Sequence, residues 1–468
     1  VRGPAVVVVG GGLAGIAAAV RLADRGARVT LVEARPHLGG ATYSFPRGGL
    51  LADTGQHVFL RCYESYRDLL DRMGVSALAP IQERFEIPVL YAGGRQARLR
   101  RGRRGPAPLH LAGALAGYRP LGLSHRLRAG TAALALRSVD PDDPVSDRTT
   151  FGAWLRAQGQ SDRAVERLWG LITVAALNLP PDQASLALAA RVFRTALLER
   201  PDAADIGIPG VPLRELHAEP AARLLARLGV RVHTKAKVLS IEPTEQVEQA
   251  EPSGGSGPAG PGFVLHTRTG ELTADAVVVA VPHQAATQLV PATAAPDRDR
   301  WAGLGSSPIV NVHVVYDRPV TDLPYAAGLD TPVQWIFDRT RAASVEHGQY
   351  LVVSISAADG LADRPADEIR HAYAGALATL FPKARQARLL QSFVTREPHA
   401  TFRQVPGTAA LRPPARTRLP GLALAGAWTG TGWPDTMEGA VRSGLLAADA
   451  IDIDSFTRVS RPIEEATP

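Results

Sequence analysis

Residues 5–9 are an unbroken apolar run, Ala-Val-Val-Val-Val, closed by three glycines. A run that short with such an end predicts a buried strand. Residues 13–25 place alanines, leucines and polar residues at helical spacing, and residues 28–32 form a second short apolar run. Strand, helix and strand in about thirty residues form a βαβ unit with parallel strands. The spacing predicts a further helix over 64–73 and two strands within 85–100 around the turn Ala92-Gly93-Gly94. Residues 108–200 read as helices at 109–116, 124–135, 151–158, 162–171 and 183–198. Strand patterns return at 230–241, 263–266 and 276–281, and alternating ones at 308–317 and 349–357. A helix at 366–380, a buried strand at 422–424 and a helix at 436–451 complete the pattern.

The βαβ start and the helical block that interrupts it predict an α/β fold. We expect a Rossmann-like, glutathione-reductase-type nucleotide domain with an inserted α+β substrate domain. The nucleotide domain is expected in three pieces, 1–95, 205–300 and 405–468. The substrate-binding pieces are 96–204 and 301–404. Residues 247–262 are rich in Glu, Gly, Pro and Ser and read as a flexible loop.

The chemistry begins at the first turn, Gly10-Gly11-Gly12-Leu13-Ala14-Gly15. Gly10 permits the tight turn, Gly12 lets a pyrophosphate approach the backbone, and Gly15 lets helix and strand pack closely. The helix start offers free N–H groups to phosphate. Glu33 ends the second strand, followed by Ala34, and its carboxylate can accept from ribose hydroxyls. Residues 255–260 also match G-x-G-x-x-G. No strand precedes them and Pro258 stands where a helix should start, so that match is rejected. After Glu33 come Leu38-Gly39-Gly40-Ala41. A second glycine pair there lets the backbone pass close to an extended cofactor. Near the other end, Gly426 follows the strand at 422–424, and Met437-Glu438-Gly439-Ala440 opens the last helix. The start of that helix would favour negative charge placed against it.

Composition narrows the class. Charged residues are 21% and apolar ones 45%, the balance of a globular enzyme. The single cysteine, Cys62, excludes disulfides within the chain and fits a reducing compartment. The expected location is the cytoplasm, with peripheral contact at the inner face of the cell membrane. No apolar run reaches the roughly 18–20 residues that span a bilayer. The net charge is +7, and basic residues cluster at Arg95, Arg98, Arg100, Arg101, Arg103 and Arg104. That segment is either a solvated loop or a contact for an anionic membrane surface. No pattern for nucleic acid or for a metal site is present.

The Glu-x-x-x-x-x-Gly-Gly continuation resembles the FAD fingerprint of the flavin amine oxidase and carotenoid desaturase superfamily, whose architecture is monoamine oxidase-like. Within it, Asp53-Thr54-Gly55-Gln56-His57 and Gly426-Ala427-Trp428-Thr429-Gly430-Thr431-Gly432-Trp433-Pro434 resemble segments of the squalene-associated FAD-dependent desaturase family, the hydroxysqualene dehydroxylases. Trp335-Ile336-Phe337-Asp338 and Phe393-Val394-Thr395-Arg396-Glu397 are similar to that family as well. The resemblance implies FAD as cofactor, with Val238 over its adenine end. No Cys or Tyr lies in the C-terminal motif to tether the flavin, so the binding is expected to be non-covalent. Two positions depart from the family. Ala427 stands where an Asp commonly contacts the ribityl chain, and Ala41 where an Arg commonly follows Gly-Gly.

The implied reaction replaces the allylic hydroxyl of a long-chain isoprenoid with hydrogen, in squalene and hopanoid biosynthesis. It needs an apolar tunnel, a proton donor for the leaving hydroxyl and π faces for a passing cation. His57, then Asp53 and Asp435, are the candidate proton donors. Trp335, Trp428 and Trp433 are the candidate π faces. Nothing in the sequence identifies the electron donor that would reduce the flavin. A carotenoid-type desaturase shares the fold and cofactor. A flavin amine oxidase is a further alternative, and a non-catalytic flavoprotein is the alternative from another class.

Overall fold

The computed structural model describes residues 3–244 and 262–453. Ala5–Val9 is the centre of a five-stranded parallel sheet. Its strand order is Leu422–Leu424, Ala276–Val279, Ala5–Val9, Arg28–Val32, Arg231–His233. A strand flanked on both sides and covered on both faces must be apolar throughout, and Val6 to Val9 are all buried. The helix Leu13–Asp24 crosses from the first strand to the second. Its buried residues run almost continuously, because the last helix, Met437–Ala450, lies directly against it. A Cβ at Gly444 would stand 2.1 Å from the Ala14 carbonyl oxygen, so only glycine allows the two backbones to approach this closely.

A second sheet has seven strands in the order Leu389–Thr401, Ser307–Tyr316, Gln349–Ile355, Trp335–Asp338, Tyr325–Gly328, Glu86–Leu90, Gln96–Arg100. It is antiparallel except where Tyr325–Gly328 meets Glu86–Leu90. The hairpin at 86–100 therefore belongs to this sheet and straddles the division expected at 95/96. One face of the long strand Ser307–Tyr316, with Val310, Val312 and Val314, packs in a core with Ile369, Tyr373 and Leu377 of the helix Ala366–Leu380. The opposite face, with Val315, Val352 and Phe393, packs on Leu50 and Ala52 of the hairpin Ser44–Arg47/Leu50–Asp53. Both faces are covered, so the alternation of apolar and polar residues here does not mark a face in water.

Two expectations change and one strand is new. The strand expected over 230–241 is two strands in different sheets, Arg231–His233 and Val238–Pro243. The chain breaks at Lys235, where φ is 58°. The helix expected to end near 171 continues through a π turn, Val165–Trp169, to Leu177, where Asn178 in the left-handed conformation stops it. The strand Leu389–Thr401 went unread, since Arg396, Glu397 and Pro398 blur its alternation. The expected loop at 247–262 and the rejected glycine match at 255–260 lie outside the described residues, apart from Gly262. Among the described residues, no helix is long and apolar enough to cross a membrane.

Candidate functional site

The first turn has the geometry that anion binding requires. Gly10 adopts φ 110° and lies against the Ala280 carbonyl, where any Cβ would collide. The helix starts at Leu13 after Gly12, with no side-chain cap and no acidic residue in its first turn. Its leading N–H groups are therefore free to bind an anion. A Cβ at Gly12 would have only the Gly40 Cα within reach, at 3.8 Å. Backbone alone frames this approach, which fits the phosphates of a dinucleotide. Leu13, Ala14 and Gly39 are buried beside it, while Ala34 and Ala41 are exposed. Glu33, buried, accepts from the Gly11 N–H at 2.6 Å and the Arg35 N–H at 2.7 Å. Its oxygens keep further lone pairs for hydroxyl donors. Arg35 donates to the Gly40 carbonyl at 3.2 Å, which brings a cation to the glycine pair that Ala41 leaves without one. Val238 is buried at the start of its strand.

The C-terminal segment is held from within. Gly426 donates its N–H to Ser443 Oγ at 2.8 Å. Thr436 caps the last helix by accepting from the Gly439 N–H, and Met437 is packed in the core. Arg412 gathers the loop between them by donating to the carbonyls of Ala427, Thr429 and Trp433. Burial lowers its pKa to about 10, against the charges of Asp435 and Asp147. Glu438 is fully buried and does not cap its own helix. Its carboxylate accepts from the N–H groups of Ser65 and Tyr66, in the first turn of the helix Glu64–Met73, and pairs with Arg442 at 2.6 Å. Any cofactor contact from Glu438 is left to its backbone.

The proton-donor candidates separate. Asp53 accepts from Ser44 Oγ, from the Leu213 N–H and from Arg339, with which it forms a buried ion pair at 3.0 Å. It is an acceptor with three partners and is not placed to give a proton. His57 sits deep in the molecule, yet keeps part of its surface open to a cleft. That cleft is lined also by Gln56, Ile208, Leu213 and Phe337. Burial lowers the His57 pKa, opposed by the Gly55 carbonyl and Asp53. The ring is therefore neutral near pH 7. With Nδ1–H donating to the Gly55 carbonyl at 3.1 Å, Nε2 carries a lone pair, which suits a base or acceptor rather than a donor. Asp435 behaves in the opposite way. Burial raises its carboxyl to about 6, opposed by the Phe402 N–H at 2.8 Å and by Arg412. A carboxyl poised there can hold and deliver a proton near neutral pH.

The tryptophans separate too. Trp428 is a core residue. Its ring packs on Trp301 at 5.1 Å and its N–H donates to the Val281 carbonyl. Trp335 is half-buried and stacked with Phe337, whose edge reaches the His57 cleft. Trp433, with Arg442 over its ring, lines an apolar crevice with Leu60, Tyr63, Ala176 and Val192. Pro434 and Thr436, on either side of Asp435, line the same crevice.

Sequence reasoning missed Arg339 and Arg412, and passed over Asn311, a fully buried amide on the strand Ser307–Tyr316 next to Gly55. Arg339 pairs with a residue 286 positions away, which no local spacing reveals. Asn311 has a faint mark in the alternation Val-Asn-Val-His-Val, which ordinarily reads as a face in water. The arginine segment also changes. Arg98 and Arg100 pair with Glu86, and Arg101 with the buried Asp205. The helix Leu123–Leu136 instead exposes Leu123, Leu127 and Leu134 along one side, with Arg128 and Arg137 also exposed.

A family model described as flavin containing amine oxidoreductase matches residues 13–452. The chain is 31% identical to a hydroxysqualene dehydroxylase of Rhodopseudomonas palustris over 459 residues, 95% of this chain and 98% of that protein. It is 25% identical to a 15-cis-phytoene desaturase of Glycine max, over 97% of this chain and 80% of that one. The structure of cyclohexylamine oxidase from Brevibacterium oxydans superimposes with a TM-score of 0.67 at 21% identity, over 96% and 98% of the two chains. At that identity the likeness concerns the fold, an α/β architecture of the monoamine oxidase type.

Proposed function

Because the chain belongs to the flavin-containing amine oxidoreductase family, we propose that this FAD-dependent oxidoreductase reductively removes the hydroxyl of hydroxysqualene to give squalene. The observation that carries the reading is the similarity to a hydroxysqualene dehydroxylase over nearly the whole of both chains. FAD is held without a covalent bond by the first turn, Glu33, Gly39-Gly40 and the Gly426 and Met437–Ala450 segments. Reduced FAD, when bound, supplies hydride. The chain's own residues do the rest. Asp435 holds the proton that leaves with the hydroxyl oxygen. His57, neutral, orients without donating. The crevice of Leu60, Ala176, Val192 and Trp433 takes the polyprenyl chain and excludes water.

The substrate is a lipid, and a membrane surface is its source. We assign the surface contact to the exposed leucines of Leu123–Leu136 with the neighbouring arginines, together with Arg95, Arg103 and Arg104. Apolar side chains flanked by cations suit an anionic bilayer.

A desaturase acting on a similar isoprenoid is the second reading. It is favoured by the similarity to phytoene desaturase and by the neutral His57, which could take a proton. One anaerobic experiment separates the two. Purified protein with reduced FAD, hydroxysqualene and anionic vesicles is expected to sediment with the vesicles and yield squalene by mass spectrometry. No squalene, with oxidised FAD instead introducing a double bond into phytoene, would overturn the first reading in favour of the second.

A further inference from the structure

Asn311 lies at the middle of the long strand Ser307–Tyr316 and is fully buried. Neither its Nδ2 nor its Oδ1 has a hydrogen-bond partner among the described residues. Leaving one buried polar group unpaired costs about 1–3 kcal/mol. An apolar residue in the same place would avoid that cost, as Val310 and Val312 do on either side. By strand alternation Asn311 shares a face with His313, away from the Val310–Val312–Val314 core. A Cβ built at Gly55 would stand 3.6 Å from His57 Cε1 and 3.9 Å from Asn311 Nδ2, so the glycine is the floor between those two side chains. Gln56 Nε2, next in the chain, is also buried and unpartnered.

We propose that Asn311, with Gln56, is the binding site for the substrate's hydroxyl, and so the residue that selects an alcohol over a hydrocarbon. The inference rests on the dehydroxylation reading. Three observations fit it. The unpaired carboxamide offers a donor and an acceptor together, and an alcohol oxygen accepts one hydrogen bond while giving another. The charges that line the cleft of Gln56 and His57 are already cancelled, since Asp53 is paired with Arg339. A neutral ligand therefore suits the place better than a carboxylate or an ammonium. Finally, the cleft beside Gln56 is lined by Ile208, Pro209, Leu213 and Phe337 as well as by His57 and the paired Asp53 and Arg339, so a neutral polar group there meets an apolar wall.

The test titrates the flavin-loaded protein with hydroxysqualene and, separately, with squalene, following the flavin absorption spectrum. The wild type should bind the alcohol more tightly. Asn311→Leu should weaken alcohol binding about tenfold, the loss of roughly one hydrogen bond. Squalene binding and FAD affinity should not change. Gln56→Leu should act in the same sense and less. If Asn311→Leu fails to fold, Asn311→Ser carries the test. Lost FAD affinity with unchanged lipid discrimination would mean that the amide faces the flavin, and would overturn the proposal. So would unchanged alcohol binding. A wild type that prefers the alcohol but never converts it would sink the reaction while leaving this binding site standing.

Discussion

In the parallel sheet around Ala5–Val9, the candidate contacts to a cofactor come almost entirely from backbone. They are the N–H groups after Gly12, the glycine pair at 39 and 40, and the turn after Leu422–Leu424. In the seven-stranded sheet the candidate contacts are to a substrate and come from side chains between two layers: Asn311 and, across the interface, His57, with the Arg339–Asp53 pair beside them. Backbone recognition requires glycines at fixed offsets along one stretch of chain. Side-chain recognition here requires residues that meet only after strands hundreds of positions apart have paired. One half tolerates any sequence that keeps its turns. The other depends on which buried polar groups find a partner within the chain and which, like Asn311, are left for a ligand.

The comparison predicts different kinds of failure. The largest effect is expected at Gly15, where a Cβ would stand 1.9 Å from the Gly10 carbonyl oxygen. No flexible side chain can give way there, so Gly15→Val should abolish flavin binding and most soluble protein. Gly12→Ala is the matched control. Its Cβ meets only Gly40, at 3.8 Å, so it should fold normally and bind FAD more weakly. Flavin absorbance per mole of purified protein reads both. A Gly15→Val protein with full flavin would break the backbone half of the comparison.

On the other side, Arg339→Met leaves the Asp53 carboxylate buried without its partner. Stranding a buried charge costs about 3–5 kcal/mol. Denaturant unfolding of the flavin-loaded protein should show a loss of that order, and adding Asp53→Asn should recover most of it. If the single variant is as stable as the wild type, the pair does not hold the hairpin Leu50–Asp53 against the seven-stranded sheet.

The same division sets what could be read from sequence. The first βαβ unit was legible because its strands are apolar on both faces and its turn is glycine-bound. Glu33 followed from its place at the end of the second strand. Asp53, His57 and Asp435 could be named from motifs, but their roles could not. Burial drives the His57 and Asp435 pKa values in opposite protonic senses, His57 toward the neutral base and Asp435 toward the neutral acid. Which of them can give a proton depends on surroundings contributed by Gly55, Phe402 and Arg412. The side-chain role of Glu438 was hidden for the same reason. Its partners, Ser65 and Tyr66, belong to a helix more than 370 positions earlier.

The smallest effect separates those two protonic roles directly. Asp435 in the folded protein titrates near 6, above its ordinary 3.8. The folded state therefore binds more protons than the unfolded one between those values. Its contribution to stability is complete below pH 3.8 and is lost as pH rises through about 6. Asp435→Asn removes that loss, so the variant should gain stability relative to the wild type at pH 8 and not at pH 4, read from unfolding midpoints. Turnover should move the other way. With Asp435 as proton donor, the wild-type rate falls about tenfold per pH unit above roughly pH 6. The variant should be slow throughout and lack that limb. A variant that keeps the wild-type limb would transfer the proton-donor role away from Asp435. His57, with its pKa lowered by burial, could supply the limb only at a pH below its ordinary 6.5. Both groups would place the break below 6.5, so the loss of the limb in Asp435→Asn, not its position, decides which group holds the proton, and whether the C-terminal loop tied by Arg412 takes part in the chemistry or only closes the site.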